Sequence, residues 1–162
     1  MPDPNVVIRN LLVDNWDVSA TSITSAPVCH TGWYDRDGDM PCLTVTNTDE
    51  GPYQSGATGF TGLDGQTGKG MQRLSGYALV NCVAGTRDDC QGLTSGGGDI
   101  NPKKLRNELY EQASQILLDE SPPEFYTLGP GDARDLVDTD EGPAVFRTEV
   151  RAMWLRDRTP TQ

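Results

Sequence analysis

The chain has 162 residues, a net charge of −11, a pI near 4.3 and 35% apolar residues, with 18 glycines and 11 prolines. That length fits one domain, 1–162, with one sizeable core and room for irregular loops. The acidity excludes a duplex-binding protein, which needs a basic footprint, and a protein held on an anionic membrane surface.

The acidity has a particular composition. Asp outnumbers Glu by 17 to 7, and three lysines (Lys69, Lys103, Lys104) stand against ten arginines. A surface of short, strongly hydrated carboxylates with few ammonium groups points to a protein adapted to high salt, where screening removes most of the self-repulsion. Met1–Asp14 lacks the basic end and apolar run of a secretory signal. No segment approaches the roughly 20 apolar residues of a membrane span.

In chain order, Pro4–Trp16 reads as a helix. Asp3 is the N-cap, Pro4 takes the first position, and Val7, Ile8, Leu11 and Leu12 form a stripe that Trp16 extends. Ser19–Ala26 is a connector or short strand. Asp35–Asp39 is a turn leading into a strand, Met40–Thr46, with Leu43 and Val45 inward. Counted as an EF-hand loop from Asp35, its sixth and twelfth positions are Met40 and Thr46 where Gly and Glu are required, so a solvated turn is the better reading.

Asn47–Gly70 is a Gly/Thr/Ser-rich loop with little apolar periodicity beyond Tyr53, Phe60 and Leu63. Its end, GQTGKG, resembles a phosphate loop but has Leu63 and Gly70 where Gly and Ser/Thr belong, and it precedes a strand instead of a helix. That strand, Met71–Val83, sets Leu74, Gly76, Ala78, Val80 and Cys82 against Arg73, Ser75, Tyr77, Leu79 and Asn81. The small residues Gly76 and Ala78 leave room for a close helix. Residues 84–100 form a second long loop.

Asn101 and Pro102 open a second helix with the stripe Leu105, Leu109, Ala113, Ile116 and Leu117. Arg106, Glu108, Glu111, Gln112 and Gln115 make its outer face, and Ser121-Pro122-Pro123 stops it. Glu124–Leu128 is a candidate short strand and Gly129–Gly142 an acidic turn region. Ala144–Leu155 alternates with period two: Phe146, Thr148, Val150, Ala152 and Trp154 lie on one side, and Val145, Arg147, Glu149, Arg151 and Met153 on the other. The fold class expected is α+β, a mostly antiparallel sheet of about four strands with two helices packed on one face.

No catalytic machinery is legible. There is no G-x-S-x-G elbow, HExxH helix or dinucleotide turn, so neither an enzyme nor a cofactor or metal site is expected. Cys42 and Cys82, inside strands, read as small core residues. A Cys29–Cys90 disulfide, a Cys29/His30/Cys90 metal cluster and a Cys29–His30 nucleophile–base pair can each be drawn, but each is the lesser reading beside a solvated loop.

The order of elements and several local phrases resemble the tail-terminator family of long-tailed, siphovirus- or myovirus-like viruses, and more loosely the neck and tail-completion proteins. The phrases are DRDGDMPCLTVTN, QRLSGYALVNCV, PKKLRNELYEQASQIL and EFYTL…DTDEGPAVFRTEVRAMWLR, which together run through nearly the whole chain. The two loops, 47–70 and 84–100, are long for that family. The resemblance implies a structural virion protein, not an enzyme, that forms a hexameric ring capping the tail tube and joining it to the neck. Its partners would be further copies of itself, the tail tube protein and a neck connector or stopper protein, with DNA passing through the ring without sequence-specific binding. It would sit at the neck of the virion after assembly in the host cytoplasm, and the acidic surface suits a haloarchaeal host. The nearest alternatives are a head-completion or stopper protein and, from another class, a small halophilic binding or enzymatic domain. Residues expected at subunit or partner contacts are Tyr53, Phe60, Lys69, Arg73, Arg147, Glu149 and Arg151, with the acidic stretch Asp135–Glu141 supplying opposite charge.

Overall fold

The computed structural model describes residues 2–34, 40–53, 72–85, 100–139 and 144–158, leaving out the side chains of residues 47 and 48. Its elements are α1 (Pro4–Asn15), a 3-10 turn (Val18–Ala20), β1 (Val28–Thr31), β2 (Cys42–Pro52), β3 (Gln72–Ala84), α2 (Pro102–Asp119), β4 (Thr127–Asp138) and β5 (Val145–Arg158). The five described strands form one sheet in the order β1-β2-β3-β5-β4.

The α+β class agrees with expectation, and both helices contribute to one core cluster with β2, β3 and β5, but the sheet differs. It has five strands instead of about four, and it is mixed, because β1 runs parallel to β2 while all other pairs are antiparallel. Both differences come from edge strands. β1 is four residues long and only Cys29 on it is partly buried, so it carries no apolar period to read. β4 occupies most of what reads as an acidic turn region. As an edge strand it is exposed along much of its length, and a bulge between Pro130 and Ala133 breaks its register. Pro, Gly and charged residues are tolerated there, and on an open edge they discourage unwanted strand pairing. The loop placed at 47–70 also begins as strand, since β2 continues to Pro52 through a bulge between Thr46 and Asp49.

Both helices start as their sequences dictate. The Asp3 and Asn101 side chains accept hydrogen bonds from the backbone N–H of Asn5 and Lys103, both at 2.9 Å, and Pro4 and Pro102 occupy the first helical positions. Ile8 and Leu12 of α1 and Leu105, Leu109, Ala113, Ile116 and Leu117 of α2 are buried against Leu43, Val45, Ala78, Val80, Cys82, Val150, Ala152 and Trp154. The outer face drawn for α2 needs one correction. Arg106 is only 7% exposed and pairs with Asp135 at 3.3 Å. Glu108 is turned inward, receiving the Ser22 backbone N–H at 2.9 Å and its hydroxyl at 2.6 Å.

A second correction concerns Gly76. The space it leaves is filled by the Trp154 indole, not by a helix. A Cβ at Gly76 would sit 2.8 Å from two indole carbons and 2.5 Å from the Asp49 carbonyl oxygen. Trp154 also stacks on Phe125, with ring centroids 5.3 Å apart.

Glu50 and Arg156 tie this end of the sheet together. Arg156 donates to both Glu50 carboxylate oxygens (2.6 and 2.7 Å) and to the Pro2 carbonyl (3.1 Å), and Trp154 Nε1 donates to Glu50 Oε2 at 2.9 Å. Burial alone raises the Glu50 pKa, but the hydrogen bonds from Arg156 and Trp154 outweigh it and hold the carboxyl below its usual 4.5. A carboxyl depressed in the folded state contributes stability that is complete above its unfolded pKa and is lost as the pH falls through the folded value. The melting-temperature gap between the parent and Glu50→Gln is therefore expected to be full at pH 7 and to close below about pH 4.5. Melting curves of the two proteins across pH 3–7 check this; a gap that persists at the acid end would contradict it.

Candidate functional site: the uncovered sheet face

Side chains alternate across a strand, so the residues that do not face the helices form a second surface. Among the described residues no helix covers it. One end is closed by Tyr34, which packs on Cys42, Val83 and Val145 in a small separate cluster. The Tyr34 hydroxyl donates to Asp138.

The middle of this face is a polar lattice. Arg147 Nε donates to Asp138 Oδ2 at 3.1 Å, and Arg147 Nη1 donates to Asn81 Oδ1 at 2.9 Å and to Glu149 Oε2 at 3.1 Å. Arg134 donates to the other Glu149 oxygen at 2.9 Å, and Asn81 Nδ2 donates to Thr44 Oγ1 at 3.2 Å. The Arg147 guanidinium lies 5.0 Å from the centroid of the Trp33 ring. Arg147 and Glu149 keep only 12% and 10% of their side-chain surface exposed, because their charges are already matched within the chain.

Towards the far end the face becomes apolar and open. Tyr77 lies directly across from Met153, and the Arg151 guanidinium sits 4.7 Å from the Tyr77 ring centroid. Tyr53 and Met153 are about half exposed. Two adjoining depressions, of about 660 and 460 Å³, share Tyr77 and cross the sheet from β2 to β4. Gly131, at the bulge in β4, lies beneath Met153, where a Cβ would collide with the thioether sulfur.

The residues expected at contacts are thus placed in three ways. Tyr53 and Arg151 border the open depressions. Arg147 and Glu149 belong to the internal lattice, together with Asp138, while Asp135 accepts from the Thr148 hydroxyl at 2.6 Å and pairs with Arg106. Asp135 and Asp138 lie on strand β4 and not in a turn. Arg73 pairs with Asp157 at 2.9 Å and stacks on Tyr126, 4.1 Å from its ring centroid. Phe60 and Lys69 lie outside the described residues. Sequence reasoning did not single out Tyr77, Met153 and Arg134 as one surface. The period-two pattern puts Tyr77 and Met153 on the uncovered face of their strands, but the register that sets them opposite one another is tertiary.

Cys29 and His30 are successive residues of β1, not of a loop, and alternation turns their side chains to opposite faces. Burial pushes the Cys29 thiol up to about 12, with Arg9 opposing only in part. A neutral thiol facing away from the imidazole is a poor nucleophile. Cys42 and Cys82 are buried, as expected of core residues, and burial likewise raises the Cys82 thiol. Cys90 lies outside the described residues. No described helix is long and apolar enough to cross a membrane.

Compared with known proteins, the sequence matches no family model and no curated protein.

Proposed function

We propose that this protein is a structural virion subunit, a tail terminator whose copies form a hexameric ring that caps the tail tube and meets the neck. The observation that carries the reading is the uncovered sheet face. Both helices lie on the other side, and this face leaves Tyr53 and Met153 about half exposed beside Arg151, which makes no ion pair among the described residues. Apolar side chains grouped next to a free cation mark an interaction surface. A two-layer subunit with one layer open is completed by a neighbour, and cyclic rings provide that neighbour at every position. The Asp-rich, Lys-poor surface suits assembly in a salt-loving host, where screening lets acidic subunits approach.

Light scattering and negative-stain electron microscopy in molar salt, with and without purified tail tubes, test this. Rings of six subunits, free or seated on tube ends, are expected. A stable monomer that leaves tube ends bare would overturn the reading. Binding to the head connector in place of the tube would make the protein a stopper or completion protein.

A further inference from the structure

The geometry points to a binding site for a neutral, hydroxyl-rich ligand of the saccharide class, in the recess where β1 ends beside the start of α1. The site is independent of the ring reading, since a single copy of the chain contributes every residue in it.

The recess follows from the way β1 stops. Its pairing with β2 ends at Thr31 and Val45, and the Gly32 N–H donates to the Val45 carbonyl at 3.1 Å. Gly32, at a φ of 124°, then turns the chain off the sheet edge while β2 runs on to Pro52. The space left is about 400 Å³, lined by Asp3 and Asn5 at the start of α1, Thr31 and Trp33 around the end of β1, and Thr46 of β2. That volume is usual for a small-molecule site. Thr46 is 7% exposed, and its Oγ1 has no hydrogen-bond partner among the described residues. A buried hydroxyl left unpaired costs stability, so its place in the lining calls for a polar group from outside the chain. Trp33 is held by the buried Tyr34, with ring centroids 5.1 Å apart, and by the Arg147 guanidinium at 5.0 Å. It nevertheless stays 55% exposed, a fixed aromatic surface open to a ligand.

The lining sets the class of ligand. Among the described residues no Lys or Arg lines the recess and the Asp3 carboxylate does, which disfavours an anion. A cation would meet the positive end of the α1 dipole, and the Arg147 guanidinium already lies against the indole. The lining therefore suits a neutral group that exchanges hydrogen bonds with hydroxyl, amide and carboxylate and lays an apolar face on an aromatic ring. A pyranose does both, because its hydroxyls ring its edge while its axial C–H bonds form a face that packs on indole. Asp3 Oδ1 is taken by the Asn5 backbone N–H at 2.9 Å, which leaves Oδ2 to accept from a sugar hydroxyl. Thr46 Oγ1, able to donate or accept, supplies a second bond.

Isothermal titration calorimetry in molar salt tests the site, with the methyl glycosides of glucose, mannose, galactose and N-acetylglucosamine as probes. Arginine and phosphate at equal ionic strength serve as the charged probes. Saturable binding of at least one glycoside is expected, together with a shift of tryptophan emission, because Trp33 is more exposed than Trp16 or Trp154. Thr46→Val removes a hydroxyl that has no partner in the described chain. It is expected to leave the melting temperature unchanged or higher and to weaken binding about tenfold. Trp33→Ala, an exposed change, is expected to abolish binding. Heats that saturate with none of the glycosides would overturn the inference. So would tighter binding of arginine or phosphate than of every glycoside, which would assign the recess to a charged ligand. Unchanged affinity in either variant would place the sugar elsewhere on the chain and equally overturn it. None of these outcomes bears on ring formation, which light scattering reads separately.

Discussion

Trp154→Ala is expected to remove about 3–5 kcal/mol of folding stability, the range for deleting a large buried aromatic side chain. Trp154 is 2% exposed, lies over Gly76, stacks on Phe125 and donates to Glu50. The backbone of β3 and the neighbouring core cannot collapse into the resulting space without breaking strand pairing, so the cavity would largely persist. Losing the indole N–H also removes one of the donors that hold Glu50 in its carboxylate form. Equilibrium urea denaturation at pH 7 in molar salt reads the loss. Trp154→Phe separates the two contributions, since it keeps most of the packing while leaving Glu50 one donor short. A loss under about 1 kcal/mol for alanine would mean that this end of the sheet is not packed as described.

Arg147→Ala is expected to cost about 3 kcal/mol, at the low end of the range for removing one partner of a buried ion pair. The guanidinium serves Asp138, Glu149 and Asn81 at once, so its removal leaves carboxylates with fewer donors in a site that water reaches poorly. The cost stays at the low end because Arg134 still holds Glu149 and Tyr34 still holds Asp138. Arg147→Met is the informative companion. It keeps the apolar bulk of the side chain but neither the charge nor the guanidinium that lies against Trp33, so a loss equal to that of alanine would assign the effect to the lattice. Full recovery with methionine would assign it to packing. Because the lattice is mostly buried, the effect should change little between low and molar salt, unlike that of a surface pair. Arg147 therefore reads as a residue that stiffens the uncovered face, while the exposed Arg151, four residues on along the same strand face, is the one free to meet a partner.

Much of the fold is legible because burial imposes a period. The stripes of α1 and α2, the inward Leu43 and Val45, and the alternation of β3 and β5 all recur because each element must turn one apolar side to a common core. The N-caps are legible because Asp3 and Asn101 must satisfy orphan amides locally. The edge strands are not legible in this way. β4 pairs on one side only and is exposed along much of its length, so nothing forces Gly129–Asp138 into an apolar alternation. Val28–Thr31 is too short to show any pattern. The bulges in β2 and β4 shift the inward face by one residue, which periodicity alone misreads.

The candidate site was legible only in pieces. Arg147, Glu149 and Arg151 share a strand face in any period-two reading, yet their environments differ sharply. The partners that separate them, Asp138, Asn81, Arg134 and Tyr77, come from β4 and β3, and local sequence does not say which strands adjoin. Charge did the same to α2, where Arg106 reads as a surface residue by helical spacing but is buried by its pairing with Asp135 across to β4.

Taken alone, then, the sequence determined the elements whose residues answer to a nearby physical demand: the two capped amphipathic helices, the three long strands with an inward apolar side, the α+β class and the acidic, Lys-poor surface. Only the tertiary structure decided the strand order, the parallel pairing of β1, the filling of Gly76 by Trp154, and which charges on the uncovered face are already matched. Those outcomes depend on contacts between residues far apart in the chain, Glu50 with Arg156 or Arg73 with Asp157, whose proximity is a property of the assembled sheet and not of any segment within it.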